Sequence, residues 1–198
     1  MYKIAVVTNR YLCREDFFTR IERLAAGGAD HIILREKDMT VCEYERLAEK
    51  VLRICEPYRI ECALHTFTEA CRQLSHLHIH LPLSAIHTVE CDSTWQTVGV
   101  SVHSVEEAIE AEMRGADYIT AGHIFETDCK RGLAGRGTDF LRGVCDAVRI
   151  PVWAIGGITQ ETVGRLGGIK IEGVCIMSSA MTADDPAELI ARLRWNMV

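Results

Sequence analysis

The feature that most constrains this chain is an alternation sustained from end to end. Short apolar runs rich in Val and Ile are each followed by a polar or amphipathic segment. The apolar runs fall at residues 4–8, 31–35, 61–65, 78–81, 98–102, 117–121, 152–155 and 173–177. Between them lie "REDFFTRIERLAAGG", "TVCEYERLAEKVLRICE", "FTEACRQLS", "SVEEAIEAEMRG", "GTDFLRGVCDAV", "TQETVGRLGG" and "DPAELIARLRWN". Several open on Ser, Thr or Asp and close at Gly, residues that satisfy the free amides at a helix start and turn the chain at its end. "SVEE" fits a capping box. Several strands are continuous apolar runs, the pattern of strands covered by helices on both faces. Eight strands with helices between most of them predict an α/β fold, a single-domain TIM (β/α)8 barrel over residues 1–198. "PLSAIHTVECDSTWQ" shows no helical period, so one helix is expected to be reduced. An open doubly wound sheet is the alternative.

Bulk properties exclude other classes. A length of 198 residues suffices for one sizeable core, though it is short for such a barrel. A net charge of −6 gives no basic footprint, so nucleic acid is not expected as a partner. No run approaches the roughly 18 apolar residues that span a bilayer, so no membrane association is expected. Nine cysteines without a CxxC pair read as reduced core residues of a cytoplasmic protein. "MYKIAVVTNR" carries an apolar run that reads as a strand rather than a leader. A barrel this small, with helix faces exposed, is open to self-association as a homo-oligomer.

In such barrels the working residues sit at the C-terminal ends of the strands and in the loops that follow. Those positions hold Arg35 and Lys37, His65, His80, Ser101 and His103, His123, Thr127 and Lys130, Gly156 and Gly157, and Ser178 and Ser179. "AIGGI" and "CIMSSA" end the seventh and eighth strands, where glycine amides and a helix N-terminus often hold a phosphate. Arg35 and Lys37, two residues apart, offer a planar fork and a point charge to an anion, unless Glu36 and Asp38 neutralise them. His123 follows the sixth strand, and an imidazole there can take and return a proton; hydrogen bonding to a loop carbonyl is its alternative role. His65, His80, Ser101 and His103 are placed to line the pocket, while His31, His76, His78 and His87 read as structural or exposed. "HLHIH" has a chelate spacing, but no carboxylate stands beside it, so no metal site is assigned. No Gly-x-Ser-x-Gly elbow or Walker loop is present, and Cys129 is the one cysteine of the rim loop. These absences narrow the chemistry to proton or group transfer without a covalent enzyme intermediate.

"ILREK", "GVSVHSVEEAIEAEMRGADYITAGHIF", "PVWAIGGIT" and "GVCIMSSA" resemble, in order and spacing, the thiamine phosphate synthase superfamily of single-domain barrels. "GHIFETDCKRGLAGRG" and "HIHLP" are closer to its thiazole tautomerase branch. The Asn-Asp pair that synthases carry after the third strand is replaced by His65 and Thr66. The acidic residue after the fourth strand gives way to Pro82, Leu83 and Ser84. The resemblance therefore implies a tautomerase of thiamine biosynthesis that aromatises a phosphorylated carboxythiazole. His123 would shift the proton, and Arg35, with Lys37, Lys130 and Thr127, would hold the carboxylate. Gly156, Gly157, Ser178 and Ser179 would hold the phosphate, with no cofactor. The alternative it implies is thiamine phosphate synthase, which couples a pyrimidine pyrophosphate to the thiazole phosphate and uses Mg²⁺. A non-catalytic phosphate-binding barrel is a second alternative.

Overall fold

Eight strands of four to six residues close on themselves. They are β1 (Lys3–Val7), β2 (His31–Leu34), β3 (Glu61–His65), β4 (His78–Pro82), β5 (Thr97–Val102), β6 (Tyr118–Gly122), β7 (Val152–Ile155) and β8 (Gly173–Ile176). A computed structural model describes residues 2–89, 95–130 and 132–196. All neighbouring strands are parallel, and β8 pairs with β1 to complete the barrel. Closure leaves no strand edge unpaired. The open-sheet alternative is thereby set aside.

Six predicted helices form, as α1 (Phe17–Ala26), α2 (Val41–Cys55), α3 (Thr68–Gln73), α4 (Val105–Met113), α5 (Gly137–Ala147) and, last in the chain, α7 (Pro186–Asn196); a short helix before it, α6 (Ser178–Thr182), was not expected. Their starts are chemically marked: Asp16 caps α1, Ser104 caps α4, and Thr40 with Glu43 forms a reciprocal capping box on α2. The connection after β4 is a 3-10 turn, Leu83–Thr88, which matches the expected reduced helix; residues 90–94 of that segment lie outside the described residues. "TQETVGRLGG" departs from expectation. It forms only a four-residue 3-10 turn, Val163–Leu166, because Gly164, Gly167 and Gly168 deny the segment helical propensity.

Alternation along each strand builds two cores. Ile4, Val6, Ile32, Leu34, Ile119 and Val174 pack outward against the helices. Ala5, Val7, Ile33, Tyr118, Trp153 and Cys175 fill the barrel axis. Gly99 and Tyr118 are paired across β5 and β6, and a Cβ at 99 would overlap the Tyr118 ring. The glycine is there because the tyrosine takes its volume.

One helix residue ties the outer layer to the strand ends. Tyr44 of α2 is fully buried and stacks on Phe67 with ring centroids 4.0 Å apart. Its hydroxyl donates to Leu34 O at 2.5 Å and accepts from His65 N at 3.0 Å. Burial pushes its pKa well up, so the hydroxyl keeps its proton. Tyr44→Phe leaves a buried carbonyl and a buried amide without this partner and is expected to cost about 1–3 kcal/mol of stability. A urea titration of variant against wild type measures it.

Candidate active site

Above the barrel axis, at the C-terminal ends of the strands, lies a cavity of about 510 Å³. Each site residue singled out from the sequence lines it: Arg35, Lys37, His65, His80, Ser101, His103, His123, Thr127, Lys130, Gly156, Gly157, Ser178 and Ser179. The geometry shows what each can offer.

Arg35 and Lys37 leave the end of β2 toward the cavity, whereas Glu36 between them turns away and is buried. Glu36 accepts from the Thr8 hydroxyl at 2.8 Å and from Arg10 Nη1 at 3.0 Å. Asp38 pairs with the guanidinium of Arg10 and accepts from the Tyr11 hydroxyl at 2.5 Å. Those bonds hold the Asp38 carboxyl well below its usual range. Arg10 therefore collects both acids that stood ready to neutralise the pocket cations. Among the described residues, neither Arg35 nor Lys37 forms an ion pair. Burial, with Arg35 and Lys130 nearby, lowers the Lys37 pKa. An anion entering the mouth would relieve that crowding of positive charge.

Opposite these cations, Gly156 and Gly157 turn the chain after β7 with φ of 98° and 66°, a region open chiefly to glycine. A Cβ at 157 would stand 2.7 Å from Phe125 Cβ, so the turn is also pressed against the β6 loop. Thr162 Oγ1 donates to Gly157 O at 2.8 Å and fixes the turn from beneath. A helix N-terminus does stand after β8, but Ser178 and Ser179 open α6 itself, of five residues, instead of preceding the helix that starts at Pro186. So short a helix brings little macrodipole, and an anion there would rely on individual amides and hydroxyls.

His123 is buried, and its Nε2 lies 3.3 Å from Leu133 O, so it donates to a loop carbonyl. The imidazole thus fastens the loop after β6 while a part of it faces the cavity. His103 Nδ1 lies 2.8 Å from Gly122 O and joins the ends of β5 and β6. Arg136 does not line the cavity; its guanidinium lies 5.5 Å from the centre of the Phe140 ring. The side chain of Cys129 lies outside the described residues.

The floor is polar and uncharged. His80 Nε2 meets Ser101 Oγ at 2.8 Å, and Thr120 donates to Ser101 at 3.1 Å. Thr66, at φ 73°, brings its hydroxyl 2.6 Å from His65 Nδ1. Burial, then Lys37 and Arg35, lowers the His65 pKa to about 3. Burial likewise drives His80 well below 6.5. The sequence reading missed Thr120, Glu126, Asp128 and Thr159 in the lining and Arg10 behind it. Only the position of Thr120, two residues along β6 from the inward-facing Tyr118, signalled its place beforehand.

"HLHIH" holds no chelate. His76 Nε2 is 2.6 Å from Cys62 O, His78 Nδ1 is 3.0 Å from Thr97 Oγ1, and His80 faces the barrel interior. Among the described residues, no group of three or more His, Cys, Asp or Glu is placed to hold a metal, and no helix is long and apolar enough to cross a membrane.

A family model described as thiamine monophosphate synthase matches residues 4–180. The chain belongs to that family. "Thiamine-phosphate synthase 2" of Streptococcus pneumoniae is 33% identical over 92% of this chain and 89% of its own. The thiamine-phosphate synthase of Pyrococcus abyssi is 32% identical over 97% and 93%. Among solved structures, thiamine phosphate pyrophosphorylase from Pyrococcus furiosus superposes with a TM-score of 0.85 at 26% identity, covering 98% of this chain and 95% of that one. Relatives of this identity and coverage bear the synthase name, which overturns the expectation of a thiazole tautomerase. The proton shift assigned to His123 goes with it. The family is one of enzymes of thiamine biosynthesis, and this chain carries its barrel.

Proposed function

We propose that the chain is a transferase of the thiamine-phosphate synthase class, joining a pyrimidine pyrophosphate to a thiazole phosphate with release of pyrophosphate. The observation that carries this reading is the pairing of the synthase relatives with a mouth in which, among the described residues, Arg35 and Lys37 form no ion pair. Arg10 holds Glu36 and Asp38, so Arg35 and Lys37, with Lys130 across the mouth, can face the charge that grows on a departing pyrophosphate. Fixed charges aimed at a leaving group stabilise the transition state more than the ground state. The glycine turn and the two serines form a second anion-receptive surface, suited to the monophosphate of the thiazole. Holding both substrates across one cavity supplies the positioning contribution.

Magnesium, which the resemblance implies for this coupling, calls for hard oxygen ligands in near-octahedral array. The described residues do not gather such a set. His65 with Thr66, and Pro82 with Leu83 and Ser84, stand where the resemblance places the synthases' Asn-Asp pair and acidic residue, and the carboxylates lining the cavity among the described residues are Glu126 and Asp128 on the β6 loop. No step is therefore assigned to the ion.

The test is a coupling assay with both substrates in magnesium-containing buffer, with thiamine phosphate followed by mass. Turnover dependent on both substrates is the expected result. Binding of both substrates without product would overturn the reading.

A further inference from the structure

A line of polar side chains runs through the otherwise apolar barrel axis, from the end opposite the mouth up to the cavity floor. Glu61, at the start of β3, has Oε1 3.4 Å from His31 Nδ1 and Oε2 3.5 Å from His78 Nδ1, close contacts of a carboxylate with two rings without a hydrogen bond. His31 Nε2 lies 3.4 Å from the Tyr118 hydroxyl. That hydroxyl is 3.0 Å from His80 Nδ1, and His80 Nε2 is 2.8 Å from Ser101 Oγ. His31, Tyr118 and His80 are all buried, and Ser101 lines the mouth. Glu61 lines a separate cavity of about 470 Å³ at the barrel's far end. The mechanism proposed above uses none of His31, Tyr118 or Glu61.

The hydrogens on this line have one consistent arrangement once its first member is set. The negative charge of Glu61 beside Nδ1 favours the His31 tautomer that carries its hydrogen on that nitrogen. Burial lowers the His31 pKa to about 4, so the ring is neutral and its Nε2 can only accept. Tyr118, which burial keeps protonated, then gives its O–H to His31 and accepts at its oxygen. His80, neutral for the same reason, supplies Nδ1–H to Tyr118 and accepts at Nε2 from the Ser101 hydroxyl. Thr120 spends its proton on Ser101 as well. Every donor points away from the mouth, and Ser101 is left with lone-pair capacity toward the cavity.

We propose that Glu61, His31, Tyr118 and His80 are positioning residues that fix the hydrogen-bond polarity of Ser101, so that the cavity floor accepts a hydrogen bond and selects a ligand ring bearing an amino or N–H donor over one bearing a carbonyl oxygen. The choice of ligand rests on the transferase reading; the polarity of the line does not. Nitrogen-15 spectra of the intact labelled protein at pH 7.5 read the ring tautomers directly. His31 and His80 are both expected as Nδ1–H. Glu61→Lys, at a half-exposed position, places a donor where the acceptor stood and is expected to turn both rings to Nε2–H. Glu61→Gln, whose amide oxygen can still accept, is expected to keep them. Calorimetry with thiamine phosphate and with its counterpart carrying oxygen in place of the amino group gives the second readout. Wild type is expected to favour the amino form at least about 10-fold, and Glu61→Lys to shrink or reverse that preference. Nε2–H on His80 in the wild type would overturn the inference, as would an unchanged preference in Glu61→Lys once the rings have turned. Absence of turnover beside Nδ1–H rings would sink the transferase reading while upholding the polarity of the line.

Discussion

Arg35→Ala is expected to lower kcat/KM for the coupling by about 10²–10³-fold, the usual loss when one fixed donor to developing charge is removed. The expectation follows from where the neighbouring acids go. Glu36 and Asp38 flank the cations in sequence, yet Arg10 takes both, so the positive charge at the end of β2 stays turned toward the cavity. Arg35→Lys is expected to recover only part of the loss, because a point charge does not reproduce the planar fork. A second readout separates this from simple loss of structure. The Lys37 pKa is held down by burial, then by Arg35 and Lys130. Removing Arg35 is therefore expected to move the alkaline limb of the kcat/KM profile to higher pH. An unchanged rate together with an unchanged limb would take Arg35 out of the site.

Acidification is expected to unfold the protein well before its carboxylates titrate. His31 and His65 have pKa values lowered to about 4 and about 3, and burial holds His80 well below 6.5. Burial is the leading cause at each, joined by His78 and Lys3 at His31, by Lys37 and Arg35 at His65, and by His65 and His31 at His80. Above the unfolded value of 6.5 all three are neutral in both states, and their contribution to stability is complete. As pH falls below 6.5 the unfolded chain binds protons that the folded chain refuses, so stability declines until each folded pKa is reached. At pH 5 His31 and His65 each amount to roughly 2 kcal/mol lost, and His80 adds to the loss in the same direction. Together these losses are a large share of the total stability of an ordinary domain, about 5–15 kcal/mol. Urea midpoints at pH 7.5, 6 and 5 measure the decline. A midpoint that holds steady over that range would show the imidazoles charging in place.

Much of the fold was legible from the chain because its strands are dense in Val and Ile. The run expected at 31–35 forms as His31–Leu34, and the one expected at 152–155 forms as Val152–Ile155. The failure at "TQETVGRLGG" has a physical source, since its apolar spacing suited a helix while its glycines did not. Positions at strand ends were legible for the same reason the barrel was, and they converge on one mouth. What the chain concealed were long-range partners. Arg10 meets Glu36 across the sheet, with nothing local to announce the pairing. Tyr118 in an apolar strand looks like core, and it is core, yet its hydroxyl links two imidazoles. The reaction was misjudged because missing acids and one loop outweighed likeness over the whole chain. A single barrel mouth accommodates several phosphate chemistries, so such local signs decide poorly between them.

The exchange of bulk between Gly99 and Tyr118 has a consequence for how this barrel can vary. The two sites, facing each other across adjacent strands, share one allotment of interior space. A larger residue at 99 is admissible only with a smaller one at 118, and that trade would remove the hydroxyl joining His31 to His80. Substitution at a mute glycine thereby governs whether the two ends of the barrel remain in hydrogen-bonded communication.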